Sequence, residues 1–147
     1  MLRDAAWADV ELVLGHGYQC VYCHIMSAIT NVAGIVRTHG VGRPEHTALI
    51  EGQRRLSWAD VYERAQRTSQ ALASVGVGAE DRVAFLDKNG IEHFDVFFGA
   101  SLLNAVAVDV NWRLAPPEVA FIVNDAQAKV LVAGLISYRF LMPSRTS

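Results

Sequence analysis

The pattern of apolar and polar residues is clearest over residues 82–114. Two short apolar runs, 83–86 and 105–110, are partly β-branched and nearly free of charge, as expected of strands covered on both faces. The segment 91–103 between them is long enough to be a helix that carries the chain back across a sheet. Strand, crossover helix and strand make a right-handed unit of a parallel sheet. The pattern therefore predicts an α/β fold, with a mostly parallel sheet and flanking helices.

The helix predicted at 91–103 has almost no polar face. Its large apolar residues are Phe94, Val96, Phe97, Phe98, Leu102 and Leu103. A helix that is apolar nearly all round is buried on more than one side. Because a chain of 147 residues leaves little other material for both sides, the pattern predicts that a partner surface must cover this helix.

The chain before this unit predicts a helix and a hairpin. Apolar residues at spacings of three and four predict a helix over 25–38, ended by Gly40 and the turn at 42–44. Residues 46–51 are predicted to form a strand, and residues 52–55 a tight turn that returns the chain through Leu56.

Capping residues predict two further helices. Ser57 is a favourable N-cap with Asp60 in the first turn, and Gly76 is suited to the position after the last turn. Beyond the second core strand, Pro117 lies near the first position of a helix that ends at 124–125. Residues 129–133 are predicted to be a third core strand.

Two loops are candidates for ligand binding. The glycine pair in loop 76–81 follows a helix and precedes a strand, the reverse of the dinucleotide-binding order, which indicates a connecting loop. Lys88 and Asn89 follow a strand at its carboxyl end, where open α/β sheets place ligands. They could approach a ligand there, or belong to a plain helix-capping turn.

The segment Cys20-Val21-Tyr22-Cys23-His24 is the sharpest short motif. Two cysteines followed by histidine match the haem c attachment pattern, and the cysteine pair also suits a redox dithiol or half of a zinc site. A second metal-ligand pair at suitable spacing is missing, and so is a haem-domain context. Two buried cysteines at this spacing by coincidence are the simpler interpretation.

Composition and charge narrow the possible partners. The net charge of −2 gives no electrostatic case for nucleic acid, and we expect none as a partner. Residues 12–36 lack charged side chains but contain glycine, histidine, asparagine and glutamine, too polar for a transmembrane span. The first residues mix acidic and basic side chains, unlike a secretory signal. We expect a cytoplasmic protein.

Three stretches carry a family resemblance: LSWADVYERAQRTSQALASVGVGAEDRVAFL, KNGIEHFDVFFGASLLNAVAVDVNWRL and APPEVAFIVNDAQAKVLV. Together, residues from about 29 to 134 resemble the start of the AMP-forming acyl-CoA synthetases of the adenylate-forming superfamily. The NWRL segment and the PPEVAFIVNDAQAKVLV stretch after it look most like members that act on medium- or long-chain fatty acids. The resemblance implies a partial N-terminal α/β subdomain of such an enzyme.

The chain departs from the family at several places. Family members commonly have glycine where Asn104 stands and proline where Asp109 stands. They use ATP, Mg²⁺ and coenzyme A, with a Ser/Thr/Gly-rich loop that ends in lysine and holds the triphosphate. No such run occurs in these 147 residues. The resemblance therefore assigns no catalytic, cofactor-binding or metal residue to this chain, and we expect it to hold no cofactor by itself.

The sequence thus predicts a truncated acyl-CoA synthetase-like protein that is catalytically incomplete alone. Its predicted parts are a divergent extension at 1–25, the subdomain at 26–134 and a divergent tail at 135–147. One alternative is an interaction module that completes a split synthetase with a complementary chain, or self-associates through exposed apolar surface. A minor alternative is a thiol redox or haem c protein that uses Cys20, Cys23 and His24.

Overall fold

Helices and parallel strands alternate along most of the computed structural model, which describes residues 29–135 and 137. The described helices are α1 (Val32–Gly42), α2 (Trp58–Ser74), α3 (Ile91–Leu102) and α4 (Pro116–Asp125). The described strands are β1 (Thr47–Glu51), β2 (Arg54–Ser57), β3 (Arg82–Leu86), β4 (Val106–Asp109) and β5 (Ala128–Ala133). Each predicted element in this range is present, with bounds that differ by a few residues.

Strand β3 is the centre of a three-stranded parallel sheet. The order is β4-β3-β5, with Phe85 opposite both Asp109 and Val132. Strands β1 and β2 form a separate antiparallel hairpin, and its turn includes Gly52 at φ +58°. The prediction of an α/β fold with a parallel sheet and flanking helices is confirmed.

The predicted caps of α2 are confirmed. The Ser57 hydroxyl accepts a hydrogen bond from the Asp60 amide at 3.2 Å, and the Asp60 carboxylate accepts one from the Ser57 amide at 2.8 Å. This reciprocal pair satisfies two amides that the first helical turn leaves free. Gly76 follows the helix at φ +86°, a left-handed conformation that favours glycine.

Helix α1 is displaced from its predicted bounds. It begins at Val32 because Asn31 is its N-cap, with Oδ1 2.8 Å from the Gly34 amide that donates to it. It continues through Gly40 to Gly42, past the predicted last residue at 38, and its C-cap is Arg43 of the predicted turn at 42–44. A Cβ on Gly40 would lie 2.6 Å from Cβ of Tyr62. The glycine therefore permits close packing against α2 instead of ending the helix.

The prediction that α3 requires an external cover is wrong. Of its residues, Glu92 alone is exposed. Phe98 packs with Val36 of α1 and Val61 of α2. In a second cluster, Val96 packs with Phe85 of the central strand. Because α1, α2 and the sheet lie around it, the helix is covered by this chain's own residues.

The other face of the sheet packs against α4. Alternate residues of a strand point to opposite faces, and the residues of β3 follow this alternation. Val83 and Phe85 join the cluster on the α2 and α3 side. Ala84 and Leu86 join a cluster with Val119 of α4. All four are buried, so the sheet lies between two helical layers.

None of the described helices has the length and apolar character that a membrane crossing requires. Residues 1–25 and most of 135–147, predicted to be an extension and a tail, lie outside the described residues. Cys20, Cys23 and His24 lie outside them too.

Candidate functional site

The carboxyl ends of the three parallel strands bring several polar residues to one edge. Leu86 is opposite Ala133, so Asp87 and Gly134 follow at neighbouring positions. The Gly134 amide donates to the Leu86 carbonyl at 3.2 Å. A Cβ on Gly134 would meet the Asp87 carboxylate, so a larger residue there would force that side chain to turn aside. The edge is thus closely packed between β3 and β5.

Two cations stack on one aromatic ring at this edge. Lys88 Nζ lies 4.8 Å from the ring centroid of Trp112, and the Arg113 guanidinium lies 4.4 Å from it. Trp112 itself packs against the cluster around α4. Cations over indole rings are attracted by the ring's negative face. The arrangement fixes two positive charges beside the ends of β3 and β4.

The turn that contains Lys88 and Asn89 leads directly into α3. The Asp87 carboxylate accepts from the Lys88 amide at 2.8 Å, and Gly90 is the N-cap, without a side-chain capping bond. Asn89 is exposed and lines a small pocket of about 190 Å³ beside Ile50 of the hairpin. Whether Lys88 and Asn89 approach a ligand stays a prediction.

His93 and Asp109 form a pair that the sequence did not reveal. His93 Nε2 lies 2.9 Å from Asp109 Oδ1, and the histidine ring lies among the rings of Phe85, Phe94 and Phe97. One signal could have indicated the pair. Asp109 is the one charged residue of the apolar run 105–110, and a carboxylate there can reach a partner on the helix before it.

A groove of about 500 Å³ lies between α2 and β5. Its walls are mostly apolar, with Leu72 on the helix, Val75 directly after it, and Val130 and Val132 on the strand. Three carboxylates also line it, those of Asp87, Glu92 and Asp95. An apolar surface with a few polar groups is the general character of a binding site.

Two of these carboxylates are already paired with arginines. Arg54 donates to Glu92 at 2.6 Å, and this bond holds the pKa of Glu92 below its ordinary value. Arg64 makes two hydrogen bonds to Asp95, at 2.8 and 2.5 Å, and they raise the pKa of Arg64. Both acids are therefore engaged by arginines of other elements, which suits structural ties between elements better than proton transfer.

The glycine pair in the loop after α2 is held by contacts within the loop and with β5. The Gly78 amide donates to the Asp81 carboxylate at 2.8 Å, and this bond, aided by Lys129, lowers the pKa of Asp81. Lys129 Nζ also donates to the Gly76 carbonyl at 2.5 Å. The Gly78 amide and the Lys129 ammonium are therefore already hydrogen-bonded within the protein, as expected of a connecting loop.

Mg²⁺ bound with ATP takes most of its ligands from phosphates and water, so whether this chain contributes to such a complex stays a prediction. Magnesium prefers carboxylate oxygens in octahedral geometry. Within the described ranges, no three His, Cys, Asp or Glu side chains are grouped closely enough to hold a metal ion. Glu92 and Asp95, two of the three carboxylates that line the groove, are committed to arginines. The groove offers an apolar surface for binding, and its side chains indicate no step of a reaction.

Comparisons with known proteins agree with this architecture. The family model described as "AMP-binding enzyme" matches residues 36–145. The long-chain-fatty-acid–CoA ligase FadD13 of Mycobacterium tuberculosis is 37% identical over 106 residues, which cover 71% of this chain and 21% of that protein. The long-chain-fatty-acid–CoA ligase of Thermus thermophilus is 42% identical over 78 residues, covering 53% of this chain and 14% of that protein.

A solved structure shows the same fold. The fatty acyl CoA synthetase of Mycobacterium tuberculosis superposes with a TM-score of 0.72 at 35% identity, over 76% of this chain and 22% of that chain. This chain therefore spans about a fifth of the length of such relatives. The family model matches most of the chain, and the fold is shared with the solved structure. The chain therefore belongs to the family of AMP-binding enzymes, and it corresponds to an N-terminal portion of fatty-acid–CoA ligases.

Proposed function

We propose that this chain supplies part of the N-terminal α/β scaffold of an acyl-CoA synthetase and does not catalyse the reaction by itself. The reaction joins a fatty acid to the AMP part of ATP with Mg²⁺ and releases pyrophosphate, then transfers the acyl group to coenzyme A and releases AMP. The observation that carries the proposal is the family match over residues 36–145, together with the β4-β3-β5 sheet. We propose the cytoplasm as the location of this chain.

The class of acid rests on the named relatives. The two ligases that are 37% and 42% identical to this chain are named for long-chain fatty acids. A relative at 30% identity, from Aromatoleum, is named for 3-hydroxybenzoate. Because identity is higher to the first pair, a fatty acid is the better-supported substrate class.

Catalytic incompleteness rests on the chemistry that adenylation requires. The developing charge on the phosphates must be met by positioned amides and cations. No Ser/Thr/Gly-rich run followed by lysine occurs in these 147 residues. In the described part of the chain, Lys129 is bound to Asp81, and Lys88 is stacked on Trp112. This chain alone therefore lacks the groups that the family uses to hold a triphosphate.

ATP–pyrophosphate exchange tests the proposal. The purified 147-residue chain, with Mg²⁺ and a long-chain fatty acid, should show exchange no faster than a blank without protein. FadD13 of Mycobacterium tuberculosis, assayed in parallel, is the positive control. Exchange by the isolated chain that depends on the fatty acid would refute catalytic incompleteness.

The same assay separates the proposal from the interaction module, and a haem measurement separates it from the haem c protein. FadD13 lacking the segment that matches this chain should be inactive. Exchange restored when this chain is added would favour the interaction module, and no restoration would favour a scaffold that acts only within one polypeptide. A Soret band that survives acid–acetone extraction would establish covalent haem at Cys20 and Cys23. That result would favour a haem c protein.

A further inference from the structure

We draw no further inference here: the strongest candidate, the apolar groove between helix α2 and strand β5, is an open surface for which nothing in the described residues shows what covers it.

Discussion

His93 of the crossover helix and Asp109 at the end of strand β4 lie 2.9 Å apart, nitrogen to oxygen. The histidine side chain is 16% exposed and the aspartate side chain 64% exposed. The bond therefore joins a mostly enclosed ring to a carboxylate at the rim of the sheet. It ties helix α3 to the strand that follows it along the chain.

Replacing this aspartate should weaken the protein modestly. Asp109→Ala removes the partner of His93, and we expect a loss of about 1 kcal/mol in the free energy of unfolding, since the carboxylate is well exposed. Urea unfolding measures the change. Asp125→Ala, an exposed acid at the end of α4, is the control and should change stability by less than about 0.5 kcal/mol. Equal losses in both variants would show that the pair contributes nothing specific.

Helices α2 and α3 approach closely at Gly99. A Cβ there would lie 2.7 Å from Cγ2 of Thr68 and 3.2 Å from the Ser69 amide nitrogen. Gly99→Ala should therefore destabilise the protein by about 1–3 kcal/mol through overpacking, despite alanine's better helix propensity.

Gly42→Ala is the matched control for Gly99→Ala, because nothing lies within 4 Å of a Cβ at Gly42. It should leave stability unchanged or raise it by up to about 1 kcal/mol. Thermal unfolding followed by circular dichroism compares the two. A Gly99→Ala protein as stable as the parent would contradict the close packing of α2 on α3.

The pair formed by Arg64 and Asp95 should contribute more than a surface ion pair. Asp95 is 16% exposed, so Arg64→Ala leaves a mostly enclosed carboxylate without its partner. We expect a loss of about 1–3 kcal/mol in the free energy of unfolding. Arg67→Ala on the same helix breaks an exposed pair with Glu63 and should cost about 0.5 kcal/mol or less.

A double-mutant cycle with Asp95→Ala isolates the coupling between Arg64 and Asp95. The double variant should be less destabilised than the sum of the two single variants. Additive losses would show that the two side chains do not interact in solution.

Stability should fall in acid partly through the cap of α2. Hydrogen bonds from the Ser57 amide and then its hydroxyl lower the pKa of Asp60 below its ordinary value of 3.8. A folded-state pKa below the unfolded value stabilises the fold above the unfolded pKa. That contribution is lost as the pH falls through the folded pKa.

Ser57→Ala should therefore cost about 1 kcal/mol at pH 7 and also reduce the loss of stability on acidification below pH 3.8. Part of the acid dependence should persist, since the backbone amide still donates. Ser74→Ala, at the other end of α2, is the control, because its hydroxyl donates only to the Ala71 carbonyl. Urea unfolding at several pH values makes both comparisons. An unchanged acid dependence in Ser57→Ala would contradict the role of the hydroxyl.

The groove between α2 and β5 should bind an apolar fluorescent dye. Val130→Thr and Val132→Thr keep the side-chain shape but place a hydroxyl in its wall, and we expect the dye fluorescence of the double variant to fall. Val41→Thr alters an exposed valine outside the groove and should leave the fluorescence unchanged. An equal fall in both would locate dye binding elsewhere.

Local structure was largely predictable from the sequence. The strands of the sheet follow from short apolar runs, and the start of α2 follows from Ser57 and Asp60, whose interaction spans three residues. Asn104 is at φ +57°, a left-handed conformation that glycine adopts freely and that asparagine tolerates better than most residues. Such features depend on neighbours in the sequence.

Packing between distant segments was less predictable. The cover of α3 comes partly from Val36 and Val61, and no local pattern shows that these residues fold back on it. The close packing of Tyr62 on Gly40 likewise joins two helices, and no local pattern shows it. The pairing of His93 with Asp109 depends on the crossover between α3 and β4.

That no residue of this chain is catalytic stays a prediction, and the exchange assays test it.

The central position of β3 has a consequence for the order of folding. Its pairing with β4 closes a loop about half as long as its pairing with β5. Each doubling of loop length adds roughly 0.6 kcal/mol to the entropic cost of closure. The β3–α3–β4 unit should therefore form before β5 pairs with β3, both on the ribosome and during refolding. Until β5 arrives, one edge of β3 offers unpaired amides and carbonyls to other chains, so aggregation should compete most strongly at that stage.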